Sequence, residues 1–133
     1  MQQQQQRFDV IIVGGGHVGL ALALALTQSA RGIRIAVVDR RPLTVPRDNR
    51  ASAIAAGVRR VFEALGVWPA MLAQAQPINA MRITDSGAGD IARPLFLTFE
   101  GDLAPGEAFA HMVPNSVSAE ALLGALVDSV SMI

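Results

Sequence analysis

No cysteine occurs anywhere in the 133 residues. Disulfides, thiolate metal sites and a cysteine nucleophile are therefore excluded, and the chain suits a cytoplasmic setting. Histidine is almost as scarce. His17 and His111 lie far apart and are not spaced as a metal pair, so no metal site is expected. An excess of one charge is missing too, since eleven basic side chains balance eleven acidic ones. That removes the electrostatic footprint of a nucleic-acid or anionic-membrane binder. The length is that of one ordinary domain, enough to bury a real core. Residues 1–6, a methionine followed by five glutamines, read as a disordered polar tail.

The longest uncharged stretch, Val10 to Ala30, poses a choice between a membrane-directed segment and a nucleotide-binding turn. Three consecutive glycines stand where a spanning helix should be most apolar, and Asp9 precedes the run. Both disfavour insertion. The other reading accounts for more residues. "RFDVIIV" (Arg7 to Val13) is a short β-branched run that predicts a strand buried on both faces. Gly14-Gly15-Gly16-His17-Val18-Gly19 then satisfies G-x-G-x-x-G. Leucine and alanine alternate from Leu20 to Leu26; both favour helix, and a helix apolar on nearly all sides is a buried one. Gly32 fits its C-terminal cap, and "IRIAVV" (Ile33 to Val38) predicts a second strand ending in Asp39.

Each glycine has a physical task in such a unit. Gly14 permits the tight turn off the strand, Gly16 lets backbone approach a pyrophosphate, and Gly19 lets helix and sheet pack closely. Free N–H groups at the helix start, Gly15 and Gly16 beside them, favour phosphate. Asp39, twenty positions after Gly19, stands where an acid accepts ribose hydroxyls. It argues against a 2′-phosphate, although Arg40 and Arg41 immediately after it could tolerate one. Between FAD and NAD the fingerprint alone does not choose.

The following segments turn the choice. "DRRPLTVPRDNRASAI" makes a proline- and arginine-rich loop from Arg40 to Arg50, followed by a predicted helix "ASAIAAGVRRVFEALGVW", rather than a quick return to a third parallel strand. With "DVIIVGGGHVGLALALAL", "VVDRRP", "DNRASAI", "VFEALGVW", "AQPINAMRITDSG" and "HMVPNSVSAEALLGAL" in this order, the chain resembles the flavin-dependent aromatic hydroxylases, and among them the ubiquinone-biosynthesis hydroxylases. The resemblance spans Arg7 to about Val130.

That resemblance implies an α/β fold: a Rossmann-like FAD-binding βαβ unit, then helices and the start of a second, mainly antiparallel sheet. Residues 7–133 would be the N-terminal part of an FAD-binding domain, incomplete relative to the full family fold. FAD would lie against Gly14, Gly15, Gly16 and Gly19, with Asp39 on the adenosine ribose, Arg40 beside the adenine and Arg50 near the flavin end. A guanidinium there suits pyrophosphate oxygens and an anionic reduced flavin. NAD(P)H would be the transient electron donor and the substrate a small aromatic molecule, a prenylated phenol. Contact with a membrane would be peripheral. Two positions depart from the family pattern: His17 replaces a proline, and Pro114 replaces an acidic residue, leaving Asn115 to cap the last helix.

The remaining segments are read as packing. "VRRVFEALG" places Val58, Val61, Phe62 and Leu65 on one helical face with Arg59, Arg60 and Glu63 outside, and Trp68 is a packing anchor. "INAMRIT", the turn "DSGAGD" and "IARPLFLTF" form a β-hairpin at about 78–100, on the substrate side, with Pro94 demoting part of its second strand to an edge. Gly89-Asp90 and Gly101-Asp102 are turns, and "AFAHMV" is a strand on which His111 is a half-buried structural residue. "SVSAEALLGALVDSVSMI" ends as a helix with no strand after it, so only two parallel strands are expected. No catalytic side chain is identified, and turnover by these residues alone is not expected. The alternatives are a non-catalytic nucleotide-binding module and, less well supported by the arginine loop, an NAD-dependent dehydrogenase.

Overall fold

The computed structural model describes residues 6–84 and 95–133. The glutamines before Gln6, the "DSGAGD" turn with Gly89-Asp90, and Pro94 lie outside the described residues. Strand β1 (Val10–Val13), helix α1 (His17–Ser29) and strand β2 (Ile35–Val38) build the expected βαβ unit. The strands are parallel in the register Val10↔Ile35 to Val13↔Val38. Asp9 fastens their open end: its carboxylate accepts the Arg34 N–H at 2.9 Å and pairs with the guanidinium, which holds the carboxyl at about 2.

The sheet does not stop at two strands. After α4 (Asn115–Leu126) the chain forms β10 (Ser131–Met132), parallel to β2 on the side away from β1. Ile133 N–H donates to Val37 O, and Asp39 N–H donates to Ile133 O, both backbone bonds. The expectation of a chain ending in helix is corrected here. A two-residue strand has no hydrophobic period to read, and it exists because β2 offers unpaired donors and acceptors.

The expected helix at Ala51 is also corrected. Ala51–Ala55 is strand β3, antiparallel to β9 (Ala110–Pro114), and only Ala56–Ala64 is helical, as α2. Alanine's helix propensity yields to five paired positions and to burial of Ile54. α2 closes in a Schellman arrangement: Gly66, at φ +77°, donates to Glu63 O and Val67 to Phe62 O. Its buried face holds Ala56 and Phe62, whereas Val58 and Val61 are exposed. Arg59, expected outside, is instead 17% exposed and paired with Glu107.

Helix α3 (Trp68–Leu72) buries Trp68 and Met71, and β4 (Gln76–Ile78) completes a three-stranded sheet β3-β9-β4. The hairpin expected at about 78–100 is present as β5 (Ala80–Thr84) antiparallel to β6 (Leu95–Glu100). Gly101 turns into β7 (Asp102–Ala104), which pairs with β8 (Glu107–Ala108). Gly32, at φ +77°, sits two residues beyond the extended cap Ala30 and therefore shapes the loop rather than capping α1 directly.

One core joins the two larger sheets. Leu20 and Leu24 of α1, Ile35 and Val37 of β2, Leu122 and Leu126 of α4 and Phe62 of α2 are all buried in it. The double-sided burial expected for β1 and α1 is not found. Val13 and Val18 are each 85% exposed, and Ile11 and Leu22 are exposed as well, so neither β1 nor α1 is covered all round by the described residues. No described helix is long and apolar enough to cross a membrane.

Candidate cofactor site

The glycine turn is shaped by contacts that forbid side chains at some positions and leave room at others. Gly14 adopts φ +112° and donates its N–H to Val38 O at 2.7 Å, tying the turn to the end of β2. A Cβ on Gly19 would lie 1.9 Å from Gly14 O and 3.3 Å from Ile12 Cγ2, so α1 can approach β1 only with glycine there. A Cβ on Gly15 would meet Leu43 Cδ2 at 1.8 Å. Gly16 differs: a Cβ there would meet nothing within 4 Å. It precedes α1 in an extended conformation, with no side chain capping the helix start.

Asp39 closes the turn from below. Its Oδ2 accepts the Gly15 N–H and its Oδ1 the Arg41 N–H, both at 2.9 Å. These two backbone donors hold the carboxyl below the usual carboxylate range, with the charges of Arg41 and Arg40 adding to the effect. A carboxylate has about four acceptor directions, so two remain for a ligand.

Between the glycine turn and the loop after Asp39 lies a cleft of about 530 Å³. Its lining includes Gly15, Gly16, His17 and Leu20 from the turn and α1, and Arg41 to Thr44 with Pro46 from the loop. Arg50, Ser52 and Asn115 line it as well. Of the residues singled out from sequence, Gly15, Gly16, Asp39 and Arg50 share this cleft. Gly14 and Gly19 shape it from behind. Arg40 turns to a neighbouring cavity of about 460 Å³ with Met132 and Ile133.

Arg50 is not unengaged. Its Nε and Nη2 donate to Asp48 Oδ2 at 3.0 and 2.7 Å, and its carbonyl accepts the Asn115 N–H at 2.9 Å. The guanidinium retains further donors, since Asp48 takes only part of its fork.

Sequence reasoning gave Arg41 no FAD contact, missed Leu43 and Ser52, and gave Asn115 a different task. Pro114 occupies the N-cap of α4, and no side chain caps that helix. Asn115 Oδ1 instead accepts the Ser52 hydroxyl at 2.7 Å. The double arginine after Asp39 was the available signal for Arg41. Nothing local marks Ser52, because its partner lies 63 positions away.

His111 stands outside the cleft. It is 8% exposed, packs edge-on against Trp68 with ring centroids 5.2 Å apart, and its Nδ1 has no partner among the described residues.

Comparison with known proteins gives the family and the fold. The FAD-binding domain model matches residues 7–128. The chain belongs to the FAD-binding domain family. Within that family it is similar to the ubiquinone hydroxylase UbiL of Rhodospirillum rubrum, at 36% identity over 119 residues, covering 86% of this chain and 26% of that protein. It is similar also to the 3-demethoxyubiquinol 3-hydroxylase of Escherichia coli, at 34% identity over 91% of this chain and 30% of the relative. Among solved structures, p-nitrophenol 4-monooxygenase PnpA of Pseudomonas putida superposes with a TM-score of 0.68 at 21% identity, over 93% of this chain and 31% of that one. The flavin-dependent monooxygenase PieE, solved with FAD and substrate, gives 0.67 at 21% identity, over 96% of this chain and 24% of that one. These two show the fold. The chain spans less than a third of the length of each of these four proteins.

Proposed function

We propose that this chain is the FAD-binding part of a flavin-dependent monooxygenase that hydroxylates an aromatic ring, with a polyprenyl phenol of ubiquinone biosynthesis as its substrate and NAD(P)H as its electron donor. The observation that carries the reading is the convergence of Gly15, Gly16, Asp39 and Arg50 on one cleft. The residues fit the cofactor: Gly16 faces unfilled space, and the start of α1 has no capping side chain to compete with a phosphate.

In this reading the N–H groups at the start of α1 bind the pyrophosphate, and Gly16 lets backbone reach it. Asp39 accepts the ribose hydroxyls while its Gly15 bond keeps the turn in shape. Arg40, which borders a cavity with Met132 and Ile133, would lie beside the adenine, and Arg50, which lines the cleft, near the flavin end. FAD supplies the redox and oxygen chemistry when bound, and the protein's part is to bind and orient it. No side chain of this chain is assigned to the chemical step. The ubiquinone hydroxylases among the relatives support the substrate class, and a cytoplasmic protein with peripheral membrane contact suits a lipid-soluble substrate.

The test is a flavin fluorescence titration of the 133-residue chain with FAD, repeated with NAD. FAD should bind far more tightly than NAD, and Gly16→Val and Asp39→Ala should abolish or greatly weaken it in chains that still fold. Preference for NAD would replace this reading with a dehydrogenase.

A further inference from the structure

Arg50 lines the cleft and is held at its carbonyl, its N–H and its side chain. The carbonyl accepts the Asn115 N–H at 2.9 Å, which ties Arg50 to the start of α4. The Arg50 N–H donates to Asp48 Oδ1 at 3.0 Å. Its Nε and Nη2 donate to Asp48 Oδ2 at 3.0 and 2.7 Å. A single carboxylate thus grips both the backbone and the side chain of Arg50, with one oxygen for each. The direction of these bonds is fixed, because a guanidinium only donates and an ionised carboxylate only accepts. The guanidinium bonds first, and the backbone N–H second, hold the Asp48 carboxyl below the usual carboxylate range, so it stays ionised at neutral pH.

Asp48 is outside the lining of the cleft, whereas Arg50 is part of it. The pair is exposed, with the arginine side chain 72% accessible and the aspartate 36%, and an exposed pair adds little to stability. Its effect on a ligand is another matter. A long exposed arginine samples many rotamers, and ordering it on a ligand costs affinity. Asp48 orders it beforehand and takes only the Nε–H and one N–H of Nη2, leaving both N–H groups of Nη1 and the second of Nη2. The same carboxylate offsets part of the positive charge that an anionic ligand seeks, so positioning and neutralisation pull affinity in opposite directions.

We infer that Asp48 is a positioning residue for cofactor binding: by gripping both the backbone and the guanidinium of Arg50, it orders that side chain ahead of FAD and raises FAD affinity through it. The inference rests on the FAD reading of the cleft, with Arg50 as a contact in it.

The test is a flavin fluorescence titration, with a thermal melt, of the 133-residue chain and of Asp48→Ala, Asp48→Glu, Asp48→Asn, Arg50→Ala and the Asp48→Ala, Arg50→Ala double variant. Arg50→Ala should weaken FAD binding about tenfold or more, the loss of charge-assisted bonds. Asp48→Ala should weaken it about three- to tenfold, as expected when one long side chain must be ordered on binding. Two variants separate the grip on the side chain from the grip on the backbone. Asp48→Glu keeps a carboxylate for the guanidinium and should restore affinity to within about twofold. Asp48→Asn keeps an acceptor for the Arg50 N–H but no anion for the guanidinium, and should stay as weak as Asp48→Ala. The double variant should bind no worse than Arg50→Ala alone, because Asp48 acts through Arg50. Melting temperatures should stay close to that of the unaltered chain throughout.

Wild-type or tighter FAD binding by Asp48→Ala would overturn the inference, tighter binding meaning that the carboxylate acts only by offsetting charge. Recovery in Asp48→Asn but not in Asp48→Glu would overturn it too, since the effect would then lie in the backbone turn. If the unaltered chain binds FAD and Gly16→Val abolishes binding while the Asp48 variants are silent, only this inference falls. If the unaltered chain binds no FAD, both readings fall.

Discussion

Asp39 and Gly15, 24 positions apart, are joined by a 2.9 Å hydrogen bond from the Gly15 N–H to Asp39 Oδ2. The residue expected to hold a ribose therefore also holds the glycine turn. Asp39→Ala should lower the melting temperature as well as FAD affinity, and Asp39→Asn should recover more of the first than of the second. The pH dependence follows from the depressed folded-state carboxyl. Its contribution is complete above the ordinary value of 3.8 and is lost as pH falls through the lower folded value. Thermal melts of wild type and Asp39→Asn at falling pH below 6 check this: the gap between the two should narrow as the carboxyl protonates.

Gly16 and Gly19 are both fingerprint glycines, yet their substitution should fail in different ways. A methyl group on Gly19 collides with Gly14 O. Gly19→Ala should cost about 3 kcal/mol of stability, the upper range of overpacking, because backbone must move. A methyl group on Gly16 meets nothing in the protein. Gly16→Ala should stay within about 1 kcal/mol of wild type while losing FAD affinity. Urea unfolding and flavin titration on both variants would separate the two roles; equal loss of stability would contradict the geometry.

His111 supplies a pH effect in another window. Burial first, and the nearby Arg59 charge second, hold its imidazole below the ordinary 6.5, with Glu63 opposing. The folded chain keeps it neutral while the unfolded chain protonates it below that value. Stability is therefore full above pH 6.5 and declines as pH falls toward the folded value, with a slope of at most about 1.4 kcal/mol per pH unit. Urea midpoints at pH 8, 6.5 and 5.5 should fall in wild type and stay nearly level in His111→Gln. FAD affinity should not follow this titration, since His111 lies outside the cleft.

The βαβ unit was legible because its determinants are local. The steric needs of the turn at Gly14 and Gly19, the apolar runs around it and an acid after β2 occupy one continuous stretch. The hairpin β5-β6 was legible for the same reason. What failed to read were features made by partners distant in sequence. Ala51–Ala55 carries helix-forming alanines and is a strand only because β9 lies alongside it. β10 is two residues long and is defined by β2. Helical period alone assigned Val58 and Val61 to the inside of α2 and Arg59 to the outside, but the glutamate at position 107 draws Arg59 inward.

The same division runs through the site. By itself the sequence determined that a glycine turn joins β1 to α1, that an acid, Asp39, follows β2, and that the arginine loop sets this chain apart from a plain βαβαβ domain. These follow from backbone sterics and short-range spacing, which the chain carries in any environment. Only the tertiary structure decided that Arg41 joins the cleft while Arg40 leaves it, that Asp48 engages Arg50, and that Asn115 answers to Ser52 rather than to its own helix. A hydrogen bond between residues 63 positions apart leaves no trace in local propensity, because it forms only after two sheets and two helices have been brought together around one core.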